Sequence, residues 1–150
     1  MATQTTNLQL VKPAADDQVD IADINGNMDK IDAFCGVTSG TPTLMDGIKS
    51  ADSMNKWYKT GRLVTVKLFL QSSNTSDVNV TNGTVIASGL PAPVAAYNYM
   101  AVTFSGTVEN RKHYRVRLMP TGNLIAYWDT VVIPAPGAGL IIDMVYISAA

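Results

Sequence analysis

Ile21, Ile24, Met28, Ile31 and Cys35 follow one another at intervals of three, four, three and four residues, and that spacing commits the stretch to a helix with one apolar edge. The intervals are those of a and d positions in a coiled coil. Isoleucine at both kinds of position favours three or more strands over two, so the simplest partner is the chain itself, as a homotrimer. Two heptads are short. Isolated helices below about 12 to 15 residues are marginal in water, so the rest of the chain has to supply further contacts. The same edge would also serve a helix laid against its own sheet, and the sequence leaves both arrangements open.

Charge is low and unevenly placed. The chain has 150 residues and a formal net charge of −1, with 15% charged residues, which gives no ground for a nucleic-acid partner. Residues 1–53 carry three lysines against eight aspartates, a balance of −5, whereas residues 54–150 carry eight Lys/Arg against Asp77, Glu109, Asp129 and Asp143, a balance of +4. Such asymmetry marks two modules with different surroundings. A single cysteine, Cys35, excludes an internal disulfide, and its place on the seam reads as a small apolar side chain. The polar start, Met1 to Thr6, has no apolar core of a secretory signal, and no run reaches the roughly 18 apolar residues of a membrane span. Synthesis in a cytoplasm, with no membrane insertion, is expected.

Along the chain, residues 1–19 lack a sustained period, and Lys12-Pro13 biases the backbone to extension, so they read as an attachment arm. Residues 20–36 form the helical stem. Asp20 suits the N-cap and Gly36 the stop, while Gly26 inside the helix weakens it. Residues 37–53, rich in Gly, Ser and Thr, read as a linker with room for one helical turn around Leu44 to Ile48. From residue 54 the apolar period drops to two. Trp57 to Lys59, Arg62 to Leu70, Thr84 to Ala87, Tyr99 to Phe104, His113 to Met119, Asn123 to Trp128 and Leu140 to Ile147 are predicted strands, punctuated by Thr60-Gly61, Pro120-Thr121-Gly122 and Pro134-Ala135-Pro136-Gly137. The fold class is therefore mainly β: a short helical stem, a trimeric coiled coil, followed by an antiparallel β-sandwich or jelly-roll-like head over residues 54–150.

Catalytic signals are weak. One histidine, His113, leaves no ordinary metal site, and there is neither a phosphate-binding glycine loop nor a nucleophile elbow. No enzyme activity, cofactor or metal is expected. Binding signals are better. On a strand, His113, Arg115 and Arg117 share one face, with Arg111 and Lys112 just before them, while Tyr114, Val116 and Leu118 share the other. That stripe is either a solvated face that protects a strand edge or a surface for an anionic polymer such as a phosphate-bearing glycan, because guanidinium pairs bidentately with phosphate. Aromatic side chains that escape the core offer flat faces to sugars, and the candidates are Tyr97, Tyr99 and Tyr127, with Asp129 beside them as a hydroxyl acceptor. Trp128 alternates with Leu124 and Ala126, which favours the core for it.

The order of these residues is itself informative. Thr5-Thr6-Asn7-Leu8, Leu10, Lys12-Pro13, Asp16-Asp17, Val19-Asp20-Ile21, Ile24-Asn25-Gly26-Asn27-Met28-Asp29 and Ile31-Asp32 resemble the N-terminal segment of tail fibre and receptor-binding proteins of tailed bacteriophages. Trp57 with Gly61-Arg62-Leu63-Val64-Thr65-Val66, Gly83-Thr84-Val85-Ile86-Ala87 before Leu90-Pro91, and Arg115-Val116-Arg117 before Gly122-Asn123-Leu124 look like the heads of such proteins. The resemblance implies a virion protein whose arm docks on the tail or baseplate, whose stem trimerises and whose head holds a host cell-surface polysaccharide. A decoration or baseplate protein that binds no receptor is the alternative. No binding residue of the family carries over by motif.

Overall fold

The structure is a computed structural model that describes residues 3–6, 8–14, 17–18, 20–104 and 111–149. Asn7, Asp16, Val19 and Glu109, named above, lie outside that set. The chain divides into two compact units, Met1–Val37 and Thr38–Ala150.

In the first unit, β1 (Thr3–Gln4) pairs antiparallel with β2 (Val11–Lys12), and α1 spans Ile21–Cys35. Asp20 caps the helix as expected, its carboxylate accepting the Ala22 N–H at 2.9 Å. Gly36 donates its N–H to the Asp32 carbonyl at 2.8 Å, but its φ of −59° is ordinary, so the helix ends without the left-handed turn that glycine usually supplies there. The extended arm is in fact a small hairpin tied to the helix. Asn27 accepts the Val11 N–H at 2.7 Å and donates to the Val11 carbonyl at 3.0 Å, while Lys30 Nζ donates to the Gln9 carbonyl at 2.7 Å. None of these contacts covers the apolar edge. No helix residue is buried, and Ile21 and Met28 are 72% and 63% exposed.

Gly26 lies on the side of α1 opposite that edge, with nothing within 4 Å of where a Cβ would stand. Gly26→Ala is therefore expected to stabilise the helix by about 1 kcal/mol, seen as increased helical circular dichroism and a higher melting temperature.

In the second unit, alternation along β7 (Leu63–Ser72) buries Val64, Val66, Leu68 and Leu70. Its antiparallel partner β14 (Gly139–Ile147) sets Tyr146, Met144, Ile142 and Leu140 opposite those four in turn, which builds the centre of the core from cross-strand pairs. Beyond β14 the sheet continues through β10 (Tyr97–Phe104), β11 (His113–Leu118), β12 (Leu124–Ala126), β9 (Val85–Ser88) and β4 (Thr43–Leu44). On the other side, β5 (Ile48–Ser50) and β6 (Lys56–Thr60) share the free edge of β7, and β3 (Val37–Gly40) flanks β6. A two-stranded ribbon of β8 (Val78–Val80) and β13 (Val131–Ile133) adds Val80, Val131 and Ile133 to the same core.

The molecule is thus mainly β and antiparallel, with one helix among the described residues. In the second unit ten strands form one sheet and the β8–β13 ribbon shares its core, where the sequence predicts six or seven strands in a sandwich or jelly roll. The span expected as a linker holds β3, β4 and β5. Ile48 is buried and Leu44 and Met45 pack on the core, so no helical turn forms there. Strands this short have too few residues to show a period.

Burial pushes the Tyr146 hydroxyl well above its ordinary value of 10.0, with Tyr99 adding to the effect, and this hydroxyl donates to the Pro91 carbonyl at 2.8 Å. An acid whose pKa rises on folding binds its proton more tightly in the native state, so stability is held below pH 10 and falls as pH climbs above it. Tyr99 and Tyr114 are raised for the same first cause, desolvation. Melting temperature is expected to fall steadily above pH 10, and less steeply in Tyr146→Phe than in the unsubstituted chain.

Candidate functional site

β11 is the strand that carries the basic stripe. Tyr114, Val116 and Leu118 are buried while His113 and Arg115 are exposed and Arg117 is half-buried, so the cations line the outer face. The register sets Met100 of β10 beside Arg115 and Asn98 beside Arg117. On the other side Ile125 of β12 faces Arg117, and the Tyr127 N–H donates to the Arg115 carbonyl at 3.0 Å, extending the pairing past the end of β12.

Two aromatic rings meet these arginines. The Arg117 guanidinium lies 4.8 Å from the centroid of the Tyr127 ring and that of Arg115 lies 5.6 Å from the Trp128 ring. The two rings are themselves edge to face at 6.0 Å. A guanidinium held over an aromatic ring is attracted to its negative face, which restrains the side chain. Asn98, Tyr99, Met100, Arg115, Tyr127 and Trp128 enclose an open groove of about 310 Å³, within the range of small-ligand sites.

Trp128 is the residue that alternation misplaces. It is 65% exposed and adopts φ +76°, a left-handed backbone that costs a non-glycine residue of order 1–3 kcal/mol. That single rotation breaks the inward period of Leu124 and Ala126 and swings the indole out. The Asn82 side chain accepts the Trp128 N–H at 2.9 Å and secures the turn. Asn82 is 46 residues away in sequence, so only the folded chain reveals the pairing.

Tyr97 and Tyr99 point the other way, toward the core. Tyr97 packs near Tyr99 and Tyr146, with centroids 6.4 Å apart in each pair, and the Tyr99 hydroxyl donates to the Val145 carbonyl at 2.9 Å. Of the two, only Tyr99 also edges the groove. Arg111 and Asp129 are exposed, the first preceding β11 and the second following Trp128. The structure therefore gathers Arg115, Arg117 and Tyr127 with Trp128, and places His113 further along the same face. Among the described residues, no group of three His, Cys, Asp or Glu side chains is arranged to hold a metal ion, and no helix is long and apolar enough to cross a membrane.

These features define an antiparallel β fold with an arginine–aromatic groove on the outer face of its sheet. No family model and no curated protein matches the chain. A solved structure does share the fold: the receptor binding protein (gp15) of Listeria phage PSA superposes with a TM-score of 0.56 over 89% of this chain and 82% of that one, at 15% sequence identity. The likeness is one of fold.

Proposed function

We propose that the chain is a bacteriophage attachment protein, a virion component that works as a homotrimer. Three copies of α1 associate through Ile21, Ile24, Met28, Ile31 and Cys35, the arm docks on a tail or baseplate protein, and the sheet unit presents its groove to a saccharide on the host cell surface. The observation that carries this reading is the open groove itself: an exposed indole held out by a strained backbone, beside oriented hydrogen-bond donors, on a fold like that of a phage receptor-binding protein. Sugars bind by laying apolar ring faces on such aromatics and pairing their hydroxyls with a few polar groups, for which Asn98 lines the groove and the exposed Asp129 follows Trp128 in the chain. The apolar helix edge supports the trimer, since an apolar face that its own unit leaves uncovered calls for a partner.

The test is binding of the purified full chain to cell envelopes from a panel of bacterial strains. Retention on at least one strain, lost in Trp128→Ala, is the expected result. Retention on none, or retention indifferent to Trp128→Ala, contradicts the reading and favours a decoration protein of the particle.

A further inference from the structure

Arg115 lines the groove and Arg117 lies two residues along the same strand, against Tyr127. Among the described residues neither Arg115 nor Arg117 forms an ion pair with a carboxylate, and Asp129, one residue beyond Trp128, forms none either. Arg117 Nε is buried without any hydrogen-bond partner. A buried N–H left unpaired is costly, and a charged one more so. His113 continues the basic face toward the start of β11, with Arg111 two residues before it, so the field over the groove favours an anion.

The aromatic partners shape which anion fits. Arg115 sits over the Trp128 ring and Arg117 over the Tyr127 ring, so the cation nearest the exposed indole is a guanidinium, the side chain that pairs bidentately with oxyanions. A bare anion would satisfy that guanidinium and leave the exposed indole unused.

We infer that the groove selects a saccharide unit bearing an oxyanion, a phosphodiester or a carboxylate, with the sugar ring lying on Trp128 and the oxyanion received by the guanidinium of Arg115, in a field to which the neighbouring Arg117 adds. The inference rests on the attachment reading and names the chemical class of its ligand. Asn82 is a positioning residue: it touches no ligand but fixes the backbone that turns the indole outward.

Calorimetric titration of the full chain tests this with four probes: a sugar-phosphate polymer, a polyuronate, neutral dextran and inorganic polyphosphate. At least one of the two anionic glycans is expected to bind at least about tenfold more tightly than either control, and whichever binds identifies the oxyanion. Arg115→Ala combined with Arg117→Ala should abolish that preference and flatten its dependence on salt, because the lost contacts are charge-assisted. Asn82→Ala should weaken the anionic glycan and leave polyphosphate unchanged. Equal affinity for dextran overturns the inference, as does equal affinity for polyphosphate or binding of neither anionic glycan. Envelope binding that depends on Trp128 but survives the double arginine substitution refutes this inference alone and leaves the attachment reading standing.

Discussion

Gly122→Ala is expected to destabilise the sheet unit by about 3 kcal/mol or more, a large share of the roughly 5–15 kcal/mol that holds a domain folded. Gly122 closes the turn between β11 and β12 at φ +77°, where a side chain is strained, and its N–H donates to the Met119 carbonyl at 2.9 Å while its carbonyl accepts from Leu90 at 3.2 Å. A Cβ there would overlap the Leu90 carbonyl oxygen, which is backbone and held by the same pairing. Gly83 provides the comparison. Its φ is +84°, but nothing lies within 4 Å of the added Cβ, so Gly83→Ala pays only the conformational penalty of about 1–2 kcal/mol. Denaturant midpoints should therefore separate the two variants clearly, and equal midpoints would show that Leu90 yields freely. The turn joins the strand of Arg115 and Arg117 to the strand leading to Tyr127 and Trp128, so glycan binding should fall with stability in Gly122→Ala.

The second large effect is on avidity. Ile24 and Ile31 are 44% and 43% exposed on the single chain, in the middle of the apolar edge. Ile24→Gln with Ile31→Gln keeps good helix formers in place while putting amides where a trimer would bury hydrocarbon. Three linked sites raise effective concentration, so separation into single chains is expected to weaken binding to a dense glycan surface by about 10² to 10⁴. The affinity of one site for a short soluble glycan should be unchanged, since the groove lies wholly within the sheet unit. Unchanged avidity would show that the stem does not link the heads.

What the sequence revealed depended on how far each signal extends along the chain. The helix was legible because its period runs over fifteen residues and Asp20 caps it locally. β7 and β14 were legible because long alternating strands bury one whole face. β4, β5, β8 and β13 have two or three residues each, less than one full alternation beyond chance, and they form because distant strands offer them edges. The site divided in the same way. The basic stripe followed from alternation on β11, a local property. The outward Trp128 did not, because its φ and its bond to Asn82 are set by tertiary contacts that no window around residue 128 contains. Tyr97 and Tyr99 sit at the strand start where escape from the core was expected, yet Tyr146 and Val145 on β14 give them partners inside.

The most direct test of the trimeric attachment scheme is the solution mass of the unsubstituted chain, by light scattering or sedimentation at neutral pH. Three copies of a 16.0 kDa chain sharing their helical edges give a 48 kDa particle. A mass of 16 kDa that persists at the concentrations used for binding would contradict it.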